Sequence, residues 1–553
     1  MNPSAKRLFA AVIGGLILWS GCGGNADFDR ASQAITAAGL ASNIEILSSD
    51  EFEGRRPASP GGRMTTDFLT EEFAAIGLQP GNGDSFLQEV PLLQITSRHA
   101  TPLSFSSGGQ TVTAEIGVNY TASTNRMDER TRLDMSDVIF VGYGIVAPEF
   151  GWNDYAGIDV RGKTVLTLVN DPGYATQDPD IFSGNTMTYY GRWTYKFEEA
   201  QRQGAAGVLV IHESGPAGYP FGVIGGGATR PHSVIKSQGE APSRPPLMGW
   251  ISDDLAREVF DMAGVSFDDL KAAALGADFA AVALDLTTSI ELRNSFQQSL
   301  SNNVLALLTG TERPDEIVVY MAHWDHLGID ASLEGDPIYN GAKDNASGTA
   351  ALLELAKAFT ALEKPPERSI LFLAVTAEEQ GLLGSLYYGT HPVYPLNKTV
   401  AAINSDVLNT FGPMNDMIII GQGNSELDDY VAAAAKAQGR TVIPDPQSEK
   451  GFFFRSDHFS FAKQGVPSLY VDPGTDHKEH GVEWTMARLE EWEELRYHQV
   501  ADEFNPDWDL RGAIDDIRLS FMIGYRLANE STFPNWREGN AFKAARDAMM
   551  AGQ

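Results

Sequence analysis

Four apolar runs in the second half of the chain end on acids or histidines. "EIVVYMA" stops at His323, "SILFLAVTA" at Glu378-Glu379, "TVAAIN" at Ser405-Asp406 and "PSLYV" at Asp472. Runs with so little polar interruption suit strands covered on both faces. Helical spacing follows "SPGGR", where Phe68, Leu69, Phe73 and Ile76 recur until Gly77 stops the pattern. In "NGAKDNASGTAALLELAKAF" the stripe is Leu352, Leu355, Ala356 and Phe359, with Asp344 at the helix entrance. From about 302 the texture is strand, loop, helix, repeated, which predicts a mostly parallel sheet flanked by helices. Earlier parts differ. Residues 31–90 read as helix-rich and 91–136 as short strands. "DVIFVGYGIVAP", "GKTVLTLVNDPG" and "TYKFEEAQRQGAAGVLVIH" mark a separate α/β texture from Asp137.

Length and charge narrow this picture. The 553 residues predict two or three domains. A formal charge of −32 argues against nucleic acid as a partner, because phosphate binding needs clustered Lys and Arg. Lys6 and Arg7 precede the short apolar stretch Leu8 to Trp19, as in a secretory signal. The stretch is shorter than the roughly 20 apolar residues a membrane span needs. Cys22 is the sole cysteine, so a disulfide within the chain is impossible. Ser20-Gly21-Cys22 resembles a bacterial lipobox, with Trp19 where that pattern usually has Leu. The expectation is a lipoprotein signal at 1–21, lipidation at Cys22 and a tether at 22–30. Such a protein is exported to the cell envelope, periplasm or outer membrane face, and reaches the membrane through its lipid.

The candidate chemistry lies at the strand ends, where open α/β sheets bind their ligands. "YMAHWDHLG" packs His323, Asp325 and His326 into four positions, and "YHQVADEF" adds His498. Taken singly, each has an ordinary explanation. Asp344 suits a helix cap, His323 a loop histidine, and Glu378-Glu379 a solvated pair. As a set, they are imidazoles and carboxylates of the kind that bind zinc.

"AHWDHLG", "NGAKDNASG", "TAEEQGLLGS", "NSDVLN", "RSDHFSFAKQGVP" and "YHQVADEF", in that order, resemble the di-zinc peptidase family of aminopeptidase Y and glutamate carboxypeptidase. The segment from Asp137 resembles the protease-associated (PA) insert of some members. The resemblance implies an α/β zinc aminopeptidase fold with an inserted β-rich domain. The peptidase domain would be 31–136 and 251–553, and the PA-like domain 137–250. It implies two Zn²⁺ per chain, one held by His323, Asp344 and Asp406, the other by Asp344, Glu379 and His498. Asp325 would orient the ligand imidazole, Glu378 act as general base and Tyr497 assist the oxyanion. Arg455, Asp457 and His458 fall in a family segment that lines the site, and His326 is assigned a structural role. Lys343 departs from the pattern, which has an acid there. Trp324 replaces a common Tyr. "HKEH" (His477 to His480) reads as an exposed loop. The implied activity is removal of N-terminal residues from peptides. The alternatives are carboxypeptidase-like cleavage, glutaminyl cyclotransferase chemistry and a metal-free receptor-like relative.

Overall fold

In the computed structural model, which describes residues 22–236 and 244–551, the chain forms an α/β fold around one long mixed sheet. Its main strands are β1 (Leu87–Ser107), β2 (Tyr120–Ser123), β3 (Arg130–Phe140), β4 (Thr164–Leu168), β5 (Gly207–His212), β6 (Leu247–Ser252), β7 (Val282–Leu308), β8 (Arg313–His323), β9 (Arg368–Val375), β10 (Thr399–Asn404), β11 (Asp416–Ile419), β12 (Thr441–Ile443) and β13 (Ser468–Pro473). The order across the sheet is β12-β11-β13-β10-β8-β9-β7-β3-β4-β5-β6-β2, with β1 pairing along β7. The central β9, β8, β10 and β13 are parallel.

Why the central strands read as unbroken apolar runs is visible in β8. Val318, Tyr320 and Ala322 enter one core, while Ile317, Val319 and Met321 enter another on the opposite face. Side chains alternate, yet both faces are covered. The first face is covered by α1 (Cys22–Ser32), α2 (Ala37–Leu47), α3 (Pro60–Ile76) and α4 (Ser347–Thr360), joined by two later helices. The second carries α5 (Leu383–Thr390) and α7 (His458–Lys463), while α6 (Leu427–Ala437) and α9 (Arg511–Asn529) pack together on the first face and α8 (Gly481–Leu495) precedes the turn to His498. Local signals start and stop these helices. Ser59 accepts from the Gly62 N–H at 3.0 Å, Pro60 opens α3, and Gly77 ends it at φ 98°. The expected stripe of α4 is buried, as is nearly all the rest of that helix.

A second core draws on residues between Leu103 and Leu292, and a third lies on the other face of β3 to β6. This accessory region is larger than the 137–250 insert expected from the sequence. β1 is one strand of 21 residues rather than several short ones, and β7 is its antiparallel partner. The two strands run continuously from one core into the other, so the boundary falls inside them. Helices Asp253–Met262 and Phe267–Ala273 belong to the accessory core through Leu255, Val259, Phe260 and Phe267. The regions are also sealed together. Met187 shares a cluster with Phe453, Phe454 and Phe459. Lys463 Nζ donates to Glu198 at 2.7 Å.

The expected signal at 1–21 lies outside the described residues. The expected tether at 22–30 is instead part of α1. Phe28 stacks on Phe521 at 5.0 Å, and Arg30 donates to the Ala361 carbonyl at 3.2 Å, which fastens this segment to the fold. Among the described residues no helix is long and apolar enough to cross a membrane.

Candidate metal centre

β8, β9 and β10 end together, with His323 beside Val375 and Met321 beside Asn404. That register delivers His323, Glu378-Glu379 and Asp406 to one edge. Asp344 comes from the turn that feeds α4, and His498 from the turn after α8. Gly341 sits at φ 56°, and a Cβ there would lie 2.5 Å from the His326 ring. Only glycine lets this turn close on the β8 loop.

Asp344 stands in the middle. Its Oδ1 is 3.4 Å from His323 Nε2 and its Oδ2 is 3.2 Å from His498 Nε2. His323 Nε2 is also 3.3 Å from Asp406 Oδ1. His498 Nε2 is 3.1 Å from Glu379 Oε2, and the other Glu379 oxygen is 2.6 Å from His326 Nδ1. Two groups converge in this way, His323 with Asp406 and Glu379 with His498, and Asp344 spans both. His326, Asp344 and Glu379 also come close enough to share an ion. His498 touches both acids, whereas the contact of His326 is with Glu379 alone, so His326 is better placed as the outer partner of that carboxylate.

The donors fit a pair of divalent cations. Three carboxylates and two imidazoles converge, largely buried except for His498, whose side chain is 37% exposed. Without metal, protons serve instead. Burial pushes the His323 and His498 imidazoles down, but the neighbouring carboxylates outweigh it, lifting His323 well above its usual range and His498 to about 10. Burial and Asp344 push Glu379 up, and the imidazoles of His326 and His498 bring it down to about 2. Metal ions would take the place of these protons.

Around this set, Glu378 Oε2 is 3.9 Å from His323 Nε2, and its side chain keeps some exposure. Asp325 is fully buried, and its carboxylate accepts the Glu378 N–H at 3.0 Å. His323 Nδ1 lies closer to the Asp325 backbone carbonyl, at 3.1 Å, than to the carboxylate, at 3.8 Å. The side chain thus positions Glu378, and the main chain does most of the orienting of the imidazole. Tyr497 stacks on His498 with centroids 4.0 Å apart. Trp324 is buried and donates to the Asn302 carbonyl at 3.0 Å.

Of the three expected lining residues, Arg455 is exposed and near Tyr497, whose phenol burial, Asp344 and Glu379 push well above its usual range while Arg455 opposes them. Asp457 and His458 are fully buried instead. His458 packs against Phe453 and Tyr470, so its ring meets protein rather than substrate. Burial pushes the Asp457 carboxyl up to about 7. In the "HKEH" loop His477 is buried rather than exposed, and its Nδ1 accepts the N–H groups of Glu479 and His480.

Two residues unassigned from the sequence hold the centre together. The Asp502 carboxylate accepts the Lys343 and Asp344 N–H groups at 3.1 and 3.0 Å. Arg55 is 1% exposed and donates to the carbonyls of Leu47, Trp324, Asn340 and Gly341, tying the two ligand loops to one guanidinium. Asp502 lay in view, four residues past His498 in the same motif. Nothing in the sequence marks Arg55 as buried.

Residues 303–522 match the model of peptidase family M28. Over 218 residues the chain is 28% identical to aminopeptidase YwaD of Bacillus subtilis, covering 38% of this chain and 44% of that protein. It is 30% identical over 213 residues to the probable leucine aminopeptidase 2 of Aspergillus oryzae, covering 37% and 39%. The matched parts therefore span less than half of these relatives. Among solved structures, an aminopeptidase from Aneurinibacillus sp. strain AM-1 aligns over 92% of this chain and 97% of its own at 18% identity, with a TM-score of 0.47. The fold and site together define an α/β protein with a histidine–carboxylate centre at its strand ends. Its segment from 303 to 522 is similar to peptidase family M28.

Proposed function

We propose that this chain is a zinc-dependent exopeptidase that removes N-terminal residues from peptides. The observation that carries the reading is Asp344, whose two oxygens face His323 and His498 while Glu378 stands 3.9 Å from His323. His323, Asp344 and Asp406 would hold one zinc, and Asp344, Glu379 and His498 a second. Bound zinc supplies a Lewis acid that polarises a carbonyl and makes water acidic. Glu378 takes the proton of the attacking water and returns it to the leaving amine. Burial raises its carboxyl well above the usual range, which suits a group that must hold the proton between the two steps. Asp325 fixes its backbone. Tyr497 offers a phenol to the oxyanion that forms on the substrate carbonyl.

The accessory region is proposed as the PA-like insert. It restricts access to the centre, a role supported by its contact with the segment that leads to Arg455. Export and a lipid anchor at Cys22 complete the proposal, on the strength of the N-terminal sequence.

Carboxypeptidase-like cleavage is favoured by one observation, the exposed Arg455 guanidinium near Tyr497, which suits a terminal carboxylate. Aminoacyl-anilides with free and acetylated N-termini separate the readings, assayed with zinc and with chelator. Hydrolysis of the free forms alone, abolished by chelation, is expected. Cleavage of acetylated peptides from the C-terminus would overturn the aminopeptidase reading.

A further inference from the structure

Helix α8 leads directly into Tyr497 and His498, yet its own anchoring is slight. Of its side chains Thr485 alone is buried, and Val482, Met486 and Leu495 are 47%, 38% and 56% exposed. Ordinary core packing cannot hold its C-terminal end in place.

Lys343 supplies another fastening. It is 2% exposed, and its Nζ lies 4.1 Å from the Trp492 ring centroid and 4.5 Å from that of Phe411. Trp492 sits in the last turn of α8. Its carbonyl accepts the N–H groups of Arg496 and Tyr497, each at 2.9 Å, and its ring packs against Tyr497 at 5.3 Å. Tyr497 in turn stacks on His498. A second fastening is Asp502, which accepts the amides of Lys343 and Asp344. An ammonium withdrawn from water is attracted to aromatic faces more strongly than an exposed one. An acid at position 343 would instead meet the negative faces of both rings.

We propose that Lys343 is a positioning residue whose ammonium docks Trp492 and the end of α8, holding His498 against Asp344 and Glu379. This rests on the reading of His498 as a metal ligand, so docking must be measured without turnover.

The experiment compares the full chain with Lys343→Met, Trp492→Leu, Trp492→Phe and the Lys343→Met/Trp492→Leu double variant. Hydrogen exchange is followed in metal-free protein, and zinc binding by titration. In Lys343→Met and Trp492→Leu, amides of 481–497 should exchange about 2- to 30-fold faster, the range a cation–π contact allows. Amides of α4 and β9 should be unchanged. The double variant should be no worse than either single one, because both remove one contact. Trp492→Phe keeps an aromatic face and should retain most of the protection. The weaker zinc should bind about 10- to 100-fold less tightly in the first two variants, as for loss of a group that orients a ligand. Unchanged exchange in both single variants, or additive effects in the double one, would overturn the proposal. If Lys343→Met fails to fold, Trp492→Leu still decides, because Trp492 is partly exposed. Normal docking effects in a protein that hydrolyses nothing would refute the hydrolase and leave this role of Lys343 standing.

Discussion

Two clusters of buried charge lie along the same sheet and serve different ends. In the accessory region Asp171 follows β4, and Asp154 and Lys196 are buried near it. Asp154 accepts the Ile145 N–H at 2.9 Å and the Trp152 indole N–H at 2.7 Å. Asp171 accepts the Gly173 N–H at 3.1 Å and both the N–H and hydroxyl of Thr188, at 3.0 and 2.6 Å. Donors close in sequence occupy these carboxylates, and Lys196, whose Nζ has no hydrogen-bond partner, offsets part of their charge from a distance. At the candidate metal centre Asp344 faces His323 and His498, which come from other segments, and Asp325 Oδ2 is buried without a hydrogen-bond partner. Burying charge is costly unless it is paired. The difference teaches that an acid at a strand end becomes a site when nearby amides do not use up its oxygens.

The comparison breaks most visibly at Glu378. Glu378→Gln keeps the shape and loses the proton acceptor, so turnover should fall about 10²–10⁴-fold with bound zinc unchanged. Single-turnover kinetics and metal analysis on one sample check this.

The accessory cluster should respond in stability instead. Lys196→Met removes the charge that opposes Asp154 and Asp171, but also a buried amine with no hydrogen-bond partner, so stability should fall by only about 1–2 kcal/mol, read from denaturant unfolding followed by exchange in residues 164–212. A variant as stable as the parent would mean that local donors alone satisfy Asp154 and Asp171.

Asp502→Asn sharpens the contrast from the other side, because it weakens a local grip on the metal-binding turn. Zinc affinity should drop about 10- to 100-fold, measured by competition with a chelating dye, while the accessory region is unaffected.

The smallest effect is on pH dependence. Burial pushes Lys196 down to about 7, against 10.5 for an ordinary lysine, with Asp171 and Asp154 opposing. Between those values the unfolded chain holds a proton that the folded one has released, so stability rises with pH from about 7 to 9. Burial pushes Asp154 and Asp171 up to about 6 from 3.8, and below pH 6 the folded chain binds the extra protons, so stability rises again as pH falls. The slope should not exceed about 1.4 kcal/mol per pH unit per group, and Lys196→Met should abolish the alkaline limb.

Much of the candidate metal centre was legible in the sequence because its strands are covered on both faces. Unbroken apolar runs such as "EIVVYMA" announce where each strand stops, and the chemistry sits at those stops. The accessory boundary was not legible. β1 and β7 carry polar residues where they cross between the cores, such as Arg98 and Gln297, and a polar stretch inside a long ladder reads as a break. Arg55 was hidden for another reason. Its four carbonyl partners are set by tertiary placement, three of them contributed by Trp324, Asn340 and Gly341 far along the chain. Helix α1 was masked by its polar composition, since Phe28 is the large side chain that anchors it.

The central claim is that Asp344 joins two metal sites and that Glu378 belongs to neither. Zinc per chain, measured after exhaustive dialysis in the parent, Glu378→Gln and Glu379→Gln, tests it most directly. The expected result is two zinc ions in the parent, two in Glu378→Gln and fewer than two in Glu379→Gln. A single zinc in the parent, or loss of metal from Glu378→Gln with both ions kept in Glu379→Gln, would contradict it.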